Sequence, residues 1–363
     1  MAGYHLIAPE ALERLAAQLF QKLGASAAAA AEVAAHLVRA NLAGHDSHGA
    51  IRIPQYALQL SQGLIDPAAE PEVVSRRGAA LLIDGKGGFG HCTTAFALER
   101  ALEVAGELGT AVAAIRRANH IGRVGDYAEK AAKRGFVAVL TVGAAGPGVG
   151  GATPYGGAQR FLGTNPWSMG VPTTDPSPFL VDFATTVVAE GKVRVARDKH
   201  DALPPGCIVD KGGNASTDPA DFYAGGMLLP FGAHKGYGLA LASALLGGLA
   251  AIGDSTPNLA GSPLQPNQTE AGERMGGALL IAIDPGAFGD GDAYAAGVGR
   301  VSAAVRRVPP APGSGGVLVP GEPEARTTAQ RRRDGITLPD DTWQAIAKVA
   351  AEHDVALPET RSA

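Results

Sequence analysis

Apolar runs with the character of strands alternate with helical stretches along most of this 363-residue chain, which predicts a mixed α/β fold. Three observations carry that prediction. The residues before Gly85, and residues 111–115, 136–142, 179–183 and 278–283, are short apolar runs bounded by turn residues. Residues 9–23, 26–42, 94–108, 234–253 and 341–351 have the length and apolar spacing of helices. The 50 glycines and 25 prolines fall between these runs, without a collagen-like period, a low-complexity tract or an internal repeat. Taken by itself, the alternation points toward a doubly wound sheet.

Each element has a local cause. Pro9 suits a first helical position, Leu12, Leu15, Leu19 and Leu23 form one stripe, and Gly24 stops the helix. Ser26 caps an alanine-rich second helix to about Leu42, which Gly44 breaks. Asp46 or Ser47 is then a good N-cap for a third helix, in which Pro54 is expected to produce a kink. Residues 122–124 are expected to open a helix whose first amides offer a phosphate site. Residues 143–157 read as a long loop. The strand 179–183 carries Asp182 near its end, and a helix is expected from residue 184; Asp182 is either a ligand-facing carboxylate or the cap of that helix. Residues 234–253 are apolar on every side, so that helix should be buried, and it has no flanking belts for a membrane. Lys235 stands at its start, where the macrodipole disfavours a cation unless an anion shares the site. Residues 254–277 read as a polar loop, 301–308 as either a helix end or a strand, 309–316 as a linker, and 326–333 as a solvated basic helix face.

Composition narrows the function. The net charge is −4, so no nucleic-acid footprint is expected. Cys92 and Cys207 are too few for a disulfide framework and lack metal-ligand spacing, so no metal is expected and a reduced, cytoplasmic setting fits. The first residues show no basic region leading into an apolar run, so no signal peptide is read.

The chemistry concentrates in NLAGHDSHGAIRIPQY (41–56), which gathers Asp46, Ser47, His48 and Arg52 within seven residues. If a helix starts there, His48 and Arg52 share a face, joining an imidazole for proton transfer to a guanidinium fork for a carboxylate. The plain alternative is a solvated pair on a surface helix. A second histidine, His120, lies in the glycine-containing loop NHIGRVGDYA (119–128). Residues 79–91 hold Gly85, Gly87 and Gly90 in G-x-G-x-x-G spacing between a strand and a helix, the form of a dinucleotide fingerprint. The next strand leads into Arg116 and Arg117 rather than to an acidic residue for a ribose hydroxyl, so a plain glycine turn is the better reading.

DSHG followed by Arg52, Pro54 and Tyr56 resembles the signature of the type-2 malate/L-lactate dehydrogenases, a family of NAD(P)-dependent oxidoreductases. The resemblance continues in order through GTNPWSMGVP (163–172), VDFATTVVAEGKV (181–193), HKGYGLALA (234–242), AIDPGAF (282–288) and VPGEPEAR (319–326). It implies a mostly antiparallel sheet surrounded by helices and a nucleotide site that is not of the Rossmann type, against the doubly wound pattern. It implies a homodimer acting on a small carboxylate, with NAD or NADP as cofactor, interconverting a 2-oxo acid and a 2-hydroxy acid. His48 or His120 would be the acid/base, Arg52 the carboxylate clamp and Ser47 its polar neighbour. His48, Gly122, Arg123, Val124, Asp182, His234, Lys235, Gly321 and Glu322 would hold the dinucleotide. The expected division is a helical segment (1–60), an α/β core (61–118 with 301–363) and a nucleotide-binding part (119–300). Two departures stand out: VGAAGP (142–147) lacks the Asn or Ser of many relatives, and Ile121 replaces a common aromatic, which would widen the pocket. A reductase of cyclic imines or N-alkyl amino acids is the nearest rival activity, since its substrate also carries a carboxylate beside the reducible carbon. A non-catalytic nucleotide-binding protein is the distant one.

Overall fold

Leu12, Leu15, Leu19 and Phe20 are all buried on one side of the helix Pro9–Lys22, which packs along the helix Ala27–Leu42. Pro9 stands in the first turn, and Ser26 caps the second helix by accepting the Ala29 N–H at 3.2 Å. A computed structural model provides this description and covers residues 3–252 and 274–362. The strand Tyr4–Ile7 lies between Ile336–Pro339 and Arg361–Ser362, antiparallel to both. The helix Asp340–Glu352 adds Trp343, Ile346 and Val349 to the same core, so the two ends of the chain close one layer together. Periodicity read no strand at either end; four-residue strands carry too little alternation to register.

The second layer is a seven-stranded sheet. Its order is Glu72–Arg77, Ala80–Asp84, Thr110–Arg116, Met275–Ile283, Val137–Ala145, Trp167–Val171 and Phe179–Phe183. Ala80–Asp84 and Thr110–Arg116 are parallel and joined by the helix Gly90–Leu108. The other neighbouring pairs are antiparallel. The sheet is therefore mixed and mostly antiparallel, and the doubly wound pattern is overturned. The reason is the strand Met275–Ile283, which enters antiparallel between two strands far earlier in the chain. Helices flank both faces. Ala138 and Leu140 pack with the helices Gly90–Leu108 and Gly125–Lys133, while Thr141 donates to Ser243 Oγ, 2.8 Å away, on the helix His234–Gly247.

Several local expectations change. The helix His234–Gly247 buries Gly236, Ala240, Ser243, Ala244 and Gly247 but leaves Leu245 52% exposed, so it is covered on one face rather than all round. Most of the expected loop 254–277 lies outside the described residues, and the strand that follows begins at Met275. Residues 301–306 end the helix Gly291–Arg306. No helix starts at residue 184; the next one is Glu190–Lys199, so Asp182 is not its cap. No described helix is long and apolar enough to cross a membrane.

Candidate active site

The DSHG segment is not the start of an α-helix. It forms two short 3-10 turns, Asp46–His48 and Ala50–Arg52, with Gly49 between them, before the helix Ile53–Ser61. Pro54 falls in the first turn of that helix, where no backbone donor is missed, so it introduces no kink. Nor does Asp46 cap it. Asp46 accepts a two-pronged bond from Arg331, at 2.6 and 3.0 Å, and the Asn41 amide at 2.6 Å. Asn41 is fully buried and also accepts the Ala50 N–H at 2.8 Å. Those bonds hold the turn against the end of the helix Ala27–Leu42. A Cβ on Gly49 would come within 2.2 Å of Asn41 Oδ1, which is why the turn passes through glycine there. The basic run 326–333 thus does more than meet solvent: Arg331 anchors this turn.

The fold brings His48 and His120 together. Their rings stack 5.5 Å apart at 12°. Ser47 Oγ lies 3.1 Å from His48 Nδ1. Tyr56 Oη, buried on the helix Ile53–Ser61, lies 2.6 Å from His120 Nδ1. Burial raises the Tyr56 pKa well above its ordinary value, so the phenol keeps its proton. Donation from Tyr56 to a bare Nδ1 satisfies both buried atoms, and this puts the His120 proton on Nε2. Burial and the nearby Arg52 guanidinium push His48 down to about 3 and hold His120 well below its ordinary value. Both rings are therefore neutral near pH 7. Asp46 is committed to Arg331 and does not raise the His48 pKa.

Arg52 donates from Nε to the Ser47 carbonyl at 2.6 Å and from Nη1 to Gln55 Oε1 at 2.6 Å. No described carboxylate bonds it. Ser47, His48 and Arg52 line a cleft of about 740 Å³ together with Gly122, Arg123, Val124, Asp182 and Lys192. The start of the helix Glu190–Lys199 closes one wall: a Cβ on Gly191 would lie 2.5 Å from Ser47 Cβ. His120 stacks on His48 without forming part of the wall. Asp182 Oδ2 accepts Arg123 Nε at 3.2 Å and the Gly125 N–H at 3.1 Å, while Oδ1 keeps free acceptor capacity. Arg123 is buried, and its Nη2 has no hydrogen-bond partner among the described residues.

Some expected site residues sit elsewhere or are engaged. The helix after residue 124 begins at Gly125, and two of the amides at its approach are engaged: the Arg123 N–H goes to His36 and the Gly125 N–H to Asp182. His234 and Lys235 do not line the cleft; His234 packs edge-on against Tyr155 at 6.2 Å, and Lys235 is exposed. Glu322 binds Arg306 and the Val319 N–H, and Gly321 packs on the backbone of Pro178 and Leu180. Ile121 is buried in the core and its carbonyl accepts from Tyr127, so it does not widen the pocket. Sequence reasoning missed Tyr56 as a partner of His120, and also Asn41, His36 and Asp126. The motif quoted Tyr56, but only the fold shows what its hydroxyl meets.

The glycine triplet is a seat for the His120 loop. The Asn119 amide donates to the carbonyls of Leu64, Gly87 and Gly88 at 2.7–3.1 Å. A Cβ on Gly90 would come within 2.0 Å of the Asn119 carbonyl oxygen and 2.5 Å of the His120 one. Asp84 is filled by Arg116 and Arg117. The turn packs on protein, which agrees with the plain reading of its glycines.

The family model of malate/L-lactate dehydrogenases matches residues 7–347. Hydroxycarboxylate dehydrogenase B of Escherichia coli K12 is 35% identical, over 99% of this chain and 97% of that protein. A Delta(1)-pyrroline-2-carboxylate reductase of Ancylobacter novellus is 32% identical over 85% and 86% respectively. The solved structure of sulfolactate dehydrogenase from Methanocaldococcus jannaschii superposes with a TM-score of 0.85 at 32% identity, covering 97% of this chain and 98% of that one.

Proposed function

Given that this chain belongs to the malate/L-lactate dehydrogenase family and is an oxidoreductase, we propose that it interconverts a 2-oxo acid and a 2-hydroxy acid with NAD or NADP. The observation that carries this reading is Arg52, a cation in the cleft wall without a carboxylate partner among the described residues, four residues from His48. A substrate carboxylate completes it, and the carbon beside that carboxylate then comes near the imidazole pair.

The cleft suits a dinucleotide. Its volume falls within the ordinary range for cofactor sites, roughly 300–1,000 Å³. Asp182 Oδ1 offers an acceptor in its wall, and the buried Arg123 Nη2 has an unmet donor. We assign Gly122, Arg123, Val124 and Asp182, within the 119–300 part of the chain, to holding it. Held there, NAD or NADP would supply the hydride chemistry. The residues do the rest. A neutral histidine takes the hydroxyl proton during oxidation. In reduction a neutral ring can donate only after the substrate anion offsets Arg52 and lets the ring gain a proton. Ser47 orients His48, and Tyr56 sets the tautomer of His120. His234, Lys235, Gly321 and Glu322 stay in the proposal as cofactor contacts beyond the cleft.

Similarity to the pyrroline-carboxylate reductase supports a second reading, reduction of a cyclic imino acid, for which Arg52 serves equally. A spectrophotometric screen of 2-oxo acids and cyclic imino acids against both reduced nucleotides separates them. Turnover of imino acids alone would favour the second reading, and turnover of neither class would reject both. A homodimer is also proposed. The helix Gly291–Arg306 leaves Tyr294 44% and Val301 65% exposed, seven residues apart and so on one face, which a second copy would cover.

A further inference from the structure

The helix Ala27–Leu42 carries a fully buried histidine that no step above uses. His36 Nε2 accepts the Arg123 N–H at 2.9 Å, and its Nδ1 faces Asp126 Oδ2 at 3.2 Å. A ring that accepts on Nε2 must carry its proton on Nδ1, which lies beside the Asp126 carboxylate. Asp126 is held in turn by Arg39, at 2.7 and 3.0 Å, and by Lys130 at 3.2 Å. Glu32, His36 and Asp126 bring ligand atoms within 4.8 Å of one another, a spacing a metal ion would accept. Arg39 and Lys130 already bridge Glu32 and Asp126, so the cluster is charge-balanced as it stands.

The loop that His36 holds is the one that follows His120 and lines the cleft. Gly122 has φ +73, and a Cβ there would lie 2.3 Å from His36 Nε2 and 2.7 Å from His91 Nε2. Glycine lets the loop settle directly on the ring. Five residues further along the same helix, Asn41 holds the turn that carries His48. One helix therefore holds both histidine-bearing segments from its buried face.

We propose that His36 is a positioning residue, and that through His36 and Asn41 the helix Ala27–Leu42 sets the spacing between the His48 turn and the His120 loop. This rests on the reading that those two segments form the reaction site. Without an acceptor at Nε2, the Arg123 N–H is left buried and unpaired, and the loop shifts to find a partner.

The test compares His36→Leu, which fills the space without an acceptor, with His36→Gln, whose amide oxygen can reach toward the lost Nε2. Kinetics per folded molecule are measured beside amide hydrogen exchange of residues 120–125. His36→Leu should lower kcat by roughly tenfold to a hundredfold, the cost of a small misplacement, and speed exchange in that loop. His36→Gln should restore most of both. Unchanged kcat and exchange in a folded His36→Leu protein, even with a lowered Tm, would overturn the proposal. If His36→Leu does not fold, nitrogen NMR of wild-type His36 decides: a proton on Nδ1 supports the mount, and a proton on Nε2 overturns it. Exchange and tautomer need no substrate, so they test the mount even if the proposed reaction fails.

Discussion

Exchanging Arg52 for lysine should weaken kcat/KM for an oxo acid strongly while leaving nucleotide affinity nearly unchanged. The geometry sets the size of the effect. Nε is committed to the Ser47 carbonyl and one Nη1 hydrogen to Gln55, so the end-on edge formed by Nη1 and Nη2 remains for a ligand. That edge matches a carboxylate with two parallel bonds. Burial lowers the pKa of Arg52, and Arg194 adds to this, although Glu190 pulls the other way; an arriving carboxylate relieves that strain on the charge. Lysine keeps the charge but has no planar fork, and it cannot reach Ser47, Gln55 and a substrate in one geometry. Losing one charge-assisted bond is worth about 1.5–3 kcal/mol, or roughly tenfold to 150-fold in kcat/KM. The assay is initial-rate kinetics with an acid and its amide, with nucleotide titration and Tm as controls. Wild type should prefer the acid, and Arg52→Ala should erase much of that preference. An unchanged acid-to-amide ratio in Arg52→Ala would remove Arg52 from the substrate site.

Five further outcomes are expected. His48→Ala should lose about 10²–10⁴-fold in turnover while still binding nucleotide; a loss under about tenfold would transfer the acid/base role to His120. Gly90→Ala should reduce turnover, because its Cβ displaces the Asn119–His120 backbone. Gly87→Ala meets open space at φ +80, so it should cost about 1 kcal/mol of backbone strain without selectively weakening nucleotide affinity. A selective affinity loss there, at constant Tm, would revive the dinucleotide fingerprint. The pH profile follows from His48 being pushed from 6.5 down to about 3. In the oxidation direction kcat/KM should show no inflection near 6.5, and one that appears there and vanishes in His48→Ala would show the ring is not depressed. The stability effect has a definite sign. The unfolded ring binds a proton near 6.5 and the folded one only near 3, so the unfolded state holds more protons between them. This contribution is complete above 6.5 and is lost as pH falls through that window, which equilibrium unfolding at several pH values measures.

Local chemistry determined much of this protein. Ser26 caps its helix, Leu12, Leu15 and Leu19 bury one stripe, and residues 179–183 form the strand their apolar run suggests. These depend on neighbours a few residues away, which a linear chain displays. The DSHG cluster was equally visible as chemistry, and Ser47, His48 and Arg52 do line one cleft. Its conformation was not visible: spacing suggested one α-helical face, whereas Asn41 and Arg331 draw the segment into two 3-10 turns. Tertiary structure also decided the sheet, because periodicity says nothing about which strand edge Met275–Ile283 will pair with. It decided the stacking of His120 on His48, the bond from Tyr56 and the seat on His36, each between segments distant in sequence. Such contacts arise only once burial has brought the segments together. A buried polar atom then takes whatever partner the packing leaves within reach, because remaining unpaired costs more than the bond itself returns.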